Sequence, residues 1–333
     1  MDQTHIGYTN WQQPDKNSMP EVKNIDLPIA AEMGVAIEGS AKWWPLEKSE
    51  AVLPEFDPYN RQSYYIEIFN RGKTPFDYSI KASEPWISIN EPSGKIETEK
   101  RLMVSVDWKK TPNGKQRIPI TILGPNGNTV VVYAVVNNPE SPKLNKENCF
   151  IESNGYVSIE AENYTNVVNT NSVTWLKIPN LGRTSSAMTI IPVTVESQTS
   201  VSNGPRLEYK MHLFKEGDVK VKIYLSPTLN FGYTKGLSYA ISFDDEEPQI
   251  INVNENDIVP DWKYPNYWNQ EVSDNIRIST SNHSVKKSVE HVLKFWAVNP
   301  GLVLQKIVVE TGEIKPSYLG PPQSYNGALE VKK

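Results

Sequence analysis

The sequence has one cysteine, Cys149, which excludes an internal disulfide and any cysteine-rich metal site. Histidine is scarce, with only His5, His212, His283 and His291. None of the four sits in a Gly-x-Ser-x-Gly elbow or a His-Glu-x-x-His string, so neither a hydrolase triad nor a zinc site is legible. His212 and His291 fall inside strand-like runs and read as structural, whereas His5 and His283 fall in irregular segments. Glycine-rich phosphate loops are missing too, and there are no βαβ units to carry them. No apolar run approaches the ~18–20 residues that a membrane helix needs, and Met1 to Tyr8 lacks the basic start and apolar stretch of a signal peptide. The chain has 34 basic and 39 acidic residues, a net charge of −5, and no Lys/Arg cluster. Nucleic acid and an anionic membrane therefore drop out as partners.

What is abundant is proline and aromatic side chains. The 25 prolines, 9 Trp, 16 Tyr and 8 Phe in 333 residues describe a folded chain long enough for two cores. The prolines punctuate short runs of β-branched and aromatic residues, which reads as many strands. Residues 1–27 lack periodicity and read as an extended segment docked on a neighbouring surface. From residue 28 to 138, strand and turn alternate. Leu102, Val104 and Val106 share one face while Met103, Ser105 and Asp107 share the other, the period of a half-buried strand. Pro125-Asn-Gly-Asn128 between two β-rich runs marks a hairpin. Strand count and spacing predict an immunoglobulin-like sandwich here. Residues 139–148 are polar, carry prolines and read as a linker; 149–322 then predict a jelly-roll-like sandwich, with 323–333 as a tail. The fold class is all-β, with no helix expected beyond two turns.

Two features carry candidate chemistry. Trp262-Lys-Tyr264-Pro-Asn-Tyr267-Trp268 packs four aromatics into one short stretch. Exposed, Trp262, Tyr264, Tyr267 and Trp268 would form a stacking platform for sugar rings. Buried, Trp268 and Trp262 would plug the sandwich core or a domain interface, and the number of tryptophans to be housed favours that reading. The second feature is Ile159-Glu-Ala-Glu162, which resembles the opening strand of many jelly-roll carbohydrate-binding modules. That resemblance implies a structural calcium held by Glu160 and Glu162, with Glu310 on the last strand as a further ligand. The other reading pairs these acids with Lys or Arg. Asp244-Asp-Glu-Glu247 reads as a solvated hairpin tip.

Longer strings resemble the C-terminal region of glycoside hydrolase family 115, the xylan α-1,2-glucuronidases. They include Thr4-His-Ile-Gly-Tyr-Thr-Asn-Trp-Gln-Gln-Pro14, Met33-Gly-Val-Ala-Ile-Glu-Gly-Ser40, Leu181-Gly-Arg-Thr184, Asn299-Pro-Gly-Leu-Val-Leu-Gln-Lys-Ile307 and Lys315-Pro-Ser-Tyr-Leu-Gly-Pro-Pro322, in family order. The resemblance implies a β-sandwich region without the family's catalytic domains, which would lie upstream of Thr4, so no catalytic residue carries over. It implies support of those domains, homodimer contacts, or binding of xylan or another plant polysaccharide. Residues 1–27 would tie the region to an upstream domain. An extracellular or periplasmic setting follows from the family's polymeric substrate, and no cofactor is required beyond a structural calcium. The rival reading is a stand-alone carbohydrate-binding protein.

Overall fold

The computed structural model describes residues 21–24, 26–139, 148–198, 203–232, 235–255, 257, 264–287, 289–314 and 316–326. Much of the expected N-terminal segment (1–20 and 25), the linker core (140–147) and residues 327–333 of the tail lie outside these.

The first sandwich contains β1 (Met33–Ile37), β2 (Trp43–Trp44), β3 (Ala51–Val52), β4 (Tyr64–Asn70), β5 (Phe76–Ala82), β6 (Ile87–Ile89), β7 (Ser93–Ile96), β8 (Glu99–Val106), β9 (Gly114–Leu123) and β10 (Thr129–Asn138). They form two five-stranded sheets, in the orders β2-β1-β4-β8-β6 and β3-β10-β9-β5-β7. The alternation seen in the sequence is the burial pattern: Leu102 and Val104 are buried while Met103 faces outward, and Ile66 and Ile68 meet Val132, Ala134 and Val136 across the core. The β9–β10 hairpin closes on Asn126 (φ 57°) and Gly127 (φ 75°), left-handed conformations that these two residues tolerate best.

The second sandwich follows, with β11 (Phe150–Ile151), β12 (Tyr156–Glu160), β13 (Asn166–Val168), β14 (Thr174–Ile178), β15 (Ala187–Ile191), β16 (Arg206–His212), β17 (Gly217–Leu225), β18 (Ser238–Phe243), β19 (Gln249–Asn252), α1 (Trp268–Asp274), β20 (Arg277–Val285), β21 (Glu290–Ala297) and β22 (Leu304–Glu310). One sheet runs β11-β16-β21-β18-β19 with β13 beside β16; the other runs β14-β15-β22-β17-β20 with β12 beside β22. Tyr209, Tyr239 and Phe295 fill its centre. Their hydroxyls are satisfied, Tyr209 donating to the Ala161 carbonyl at 2.8 Å and Tyr239 to Ser279 Oγ at 2.9 Å, as buried phenols require.

Strands β12 and β22 are buried on both faces. The reason is a strap, residues 316–326, laid over the outer surface of their sheet. Ser158 Oγ donates to the Pro321 carbonyl at 3.0 Å, and Ser324 N donates to the Ser158 carbonyl at 2.8 Å. Residues 323–326, expected in a tail, are thus built into the fold.

The two sandwiches are joined by a polar lock. Asp57 is 7% exposed; its Oδ1 accepts the N–H groups of Tyr59 and Asn60 at 2.9 Å, and its Oδ2 accepts from Gln62 Nε2 and from Ser153 Oγ of the second sandwich. Asn154 Nδ2 donates to Tyr64 Oη at 3.1 Å, and Tyr325 N donates to Asn60 Oδ1 at 3.0 Å. The Tyr59 ring stacks on Phe214, with centroids 5.7 Å apart.

Candidate functional site

The aromatic stretch separates into contact and anchor residues, and Trp262 lies outside the described residues. Tyr264 is 71% and Trp268 39% exposed, with rings stacked at 5.2 Å and 22°. The expectation that Trp268 plugs the interior is therefore corrected: it opens α1 on the surface, because the sandwich core is already filled by tyrosine and phenylalanine. Tyr267 does the anchoring. Its hydroxyl donates to the Asp257 carboxylate and its ring lies 4.8 Å from the Arg277 guanidinium. Arg277, whose side chain is 11% exposed, also clamps Glu271 of α1 with Nε at 2.8 and 2.9 Å from the two carboxylate oxygens, and reaches the Val253 carbonyl at 2.7 Å. The single Nε–H shared between both oxygens of Glu271 is a charge-assisted bond that ties the helix to β20. Asn275, in the left-handed conformation that asparagine tolerates, ends α1 and returns the chain to β20.

Beside this platform, α1 forms one wall of a cleft of about 300 Å³. Gln270 and Asp274 contribute from the helix, Tyr224 and Ile278 from β17 and β20, Pro316, Ser317 and Tyr318 from the strap, and Arg183 from the β14–β15 loop. The Arg183 guanidinium lies over the Tyr318 ring at 3.9 Å. Sequence reasoning missed this pair: 135 positions separate them, and only the strap brings them together. Both fall within strings that carry the family resemblance, which is the one signal that could have drawn attention to them.

The three acids expected on calcium are not brought onto one ion. Glu160 accepts from Thr184 Oγ1 at 2.6 Å and pairs with Lys306 Nζ at 3.1 Å. Glu162 pairs with Lys177 and accepts from Ser185 Oγ and Ser186 N. Glu310 pairs with Lys222 at 2.5 Å and sits opposite Tyr156, whereas Glu160 sits opposite Lys306, so they occupy opposite ends of the β12–β22 ladder. Among the described residues no group of three or more His, Cys, Asp or Glu side chains could hold a metal. In the described structure each of the three carboxylates is paired with a lysine: Glu160 with Lys306, Glu162 with Lys177 and Glu310 with Lys222.

Burial pushes the Glu162 carboxyl up, but Lys177, Ser185 Oγ and the Ser186 N–H outweigh it and bring the pKa down to about 2 from 4.5. The folded value lies below the unfolded one, so the stabilisation is full above the unfolded pKa and is lost as pH falls through the folded one. Glu162→Gln should flatten the loss of stability between about pH 5 and 2 in urea unfolding. An acid limb identical to that of the unaltered protein would count against it.

His283 is placed in β20, not in an irregular segment. Its Nε2 is 2.9 Å from Ser281 Oγ and its Nδ1 3.2 Å from Glu246 Oε2, the order of a hydrolytic triad. Ser281 is only 4% exposed and shares the inward face of β20 with Val285, so no ester or glycoside can approach it. His291 bridges Asp244 and the Lys287 carbonyl, which ties the acidic tip to β21.

Residues 149–323 match the family model described as the glycosyl hydrolase family 115 C-terminal domain, over half of the chain. The chain belongs to that family. No curated protein matches this family 115 chain. Among solved structures it is similar to a family GH115 4-O-methyl-α-glucuronidase with specificity for decorated arabinogalactans, at 20% identity and a TM-score of 0.33, over 45% of this chain. The similarity spans 18% of the length of that enzyme. It is also similar to the C-terminal family 6 carbohydrate-binding module of a marine laminarinase from Zobellia galactanivorans (13% identity, TM-score 0.29, 46% of this chain and 98% of that one). A family 35 module from Clostridium thermocellum matches at 9% identity and a TM-score of 0.30, over 47% of this chain and 98% of that one.

Proposed function

We propose that this family 115 region is a non-catalytic, polysaccharide-holding part of a xylan-debranching α-glucuronidase that works outside the cytoplasm. In this reading it keeps the polymer near the catalytic domains of the parent enzyme. The observation that carries the reading is the Tyr264–Trp268 pair, two stacked rings held out in solvent on a helix clamped by Arg277. Large exposed aromatics cost solvation and gain nothing for the fold; the flat face of a sugar ring is a chemically matched cover.

Affinity electrophoresis in glucuronoxylan tests it. The unaltered chain should be retarded, and Tyr264→Ala with Trp268→Ala should abolish retardation, since loss of each anchoring ring weakens binding by about tenfold. Migration of the unaltered chain at the same rate with and without polysaccharide would overturn the proposal.

A further inference from the structure

The joint between the sandwiches has a histidine at its root. His212 ends β16 and is buried, and its Nδ1 is shut off from solvent with no hydrogen-bond partner. A neutral imidazole can sit this way, because one of its two nitrogens carries no proton. An imidazolium cannot do so cheaply: both nitrogens are then donors, and a buried charged N–H without an acceptor is costly. The ring packs edge-on to Phe214, with centroids 4.7 Å apart, and Phe214 is the residue that stacks on Tyr59 across the joint. The polar lock is rooted in the same place. The His212 carbonyl accepts the Glu152 N–H at 3.0 Å, and Glu152 Oε2 accepts the N–H groups of Phe214 at 2.5 Å and Lys215 at 3.3 Å. The next residue, Ser153, is the one that donates to Asp57 of the first sandwich.

The charged groups around the ring leave it without a dedicated counter-ion. Glu290, opposite His212 on β21, pairs with Lys210 of β16 at 2.8 Å. Glu152, which follows β11, already accepts from Phe214, Lys215 and Thr311 Oγ1. His291, also on β21, is held between Asp244 and the Lys287 carbonyl and opposes a second positive charge nearby. Burial therefore outweighs the two carboxylates and holds the His212 imidazole below the usual histidine value.

We propose that His212 is an acid-sensitive release for the joint: a proton on its ring turns Nδ1 toward water, draws Phe214 off Tyr59 and loosens the Ser153–Asp57 bond. The second sandwich is then free to turn on the first, with both cores intact. An open joint hydrates the ring, which takes up a proton near the ordinary value of 6.5, whereas the closed joint holds that proton less well. The closed joint is thus fully favoured above about pH 6.5 and loses ground as the pH falls below it, by up to about tenfold per pH unit. The other two histidines of the second sandwich differ in kind, since each faces a carboxylate, His283 that of Glu246 and His291 that of Asp244. The Tyr264–Trp268 platform belongs to the sandwich that is released, so acid changes how it is carried relative to the first.

Small-angle X-ray scattering of the full chain, stepped from about pH 7.5 to about 5.5 across the ordinary histidine range, tests this. The radius of gyration should rise as the pH falls, with far-UV circular dichroism unchanged because both cores stay folded. His212→Gln, polar but never charged, should keep one radius throughout, whereas His291→Gln should leave the rise in place. Phe214→Ala, which removes the stack and keeps the titrating ring, should be enlarged already at the upper pH. A radius that does not change with pH in the unaltered chain, or a rise of the same size in His212→Gln, would overturn the proposal. So would a rise that His291→Gln abolishes, since the acidic tip would then be the sensor, and so would loss of the dichroism signal in step with the rise. Proton NMR of the unaltered chain gives a second reading that needs no variant. The Tyr59 ring signals should shift with the same midpoint as the His212 imidazole, and a Tyr59 midpoint that follows another histidine would also sink the idea.

Discussion

Lys306→Met should cost about 3–5 kcal/mol of folding stability, the loss seen when one partner of a buried ion pair is removed. Lys306 lies on β22 with its side chain 4% exposed, and its ammonium is enclosed by Glu160 Oε1 at 3.1 Å and by the carbonyls of Leu319 and Pro321 at 3.3 Å. Methionine fills the same volume but leaves the Glu160 carboxyl buried and served by Thr184 alone. Removing both charges, as Lys306→Met with Glu160→Gln, should recover most of the loss, because a neutral amide tolerates the site far better than an orphaned carboxylate. Chemical denaturation of the two variants checks this. A single variant within about 1 kcal/mol of the unaltered protein would show that the enclosed pair contributes no more than a surface one.

The second large effect concerns the joint between the sandwiches. Asp57→Ala removes a carboxylate that accepts four hydrogen bonds, one of them from Ser153 across the interface. The loss should be about 3 kcal/mol or more, since several buried donors are left unpaired. Calorimetry should also change in kind: one cooperative unfolding transition in the unaltered chain, two in the variant, as each sandwich melts on its own core. A single transition in Asp57→Ala would mean that the Tyr59–Phe214 stack and the Tyr325 bond suffice to couple the two.

The strands were legible wherever a period of two ran for five residues or more, as in β4, β8 and β10, because one face of each must be apolar. Strands β2 and β3, of two residues each, are too short to show any period and exist only because a neighbour offers them a ladder. The aromatic platform was half legible. Composition located it, but which ring faces solvent depends on Arg277 and Asp257, whose partners are set by the fold. The acids Glu160, Glu162 and Glu310 were equally visible, yet their lysines come from β22, β14 and β17, and no local pattern pairs residues on different strands of one sheet. Lys306 is a charged residue inside β22, and lysine is seldom fully buried unless paired. It is buried because a segment more than ten residues later in the chain is laid across it.

That strap orders events during synthesis. Domains fold as units, the N-terminal one first, and the first sandwich has all its strands by residue 138. The second has its last strand by residue 310, but the ammonium of Lys306 gains its carbonyl cage, and Tyr325 its bond to Asn60, only when residues 319–325 have left the ribosome. Until then the outer surface of β12 and β22 is bare, so a chain that has emerged only as far as the end of β22 presents the Lys306–Glu160 ion pair without its cage.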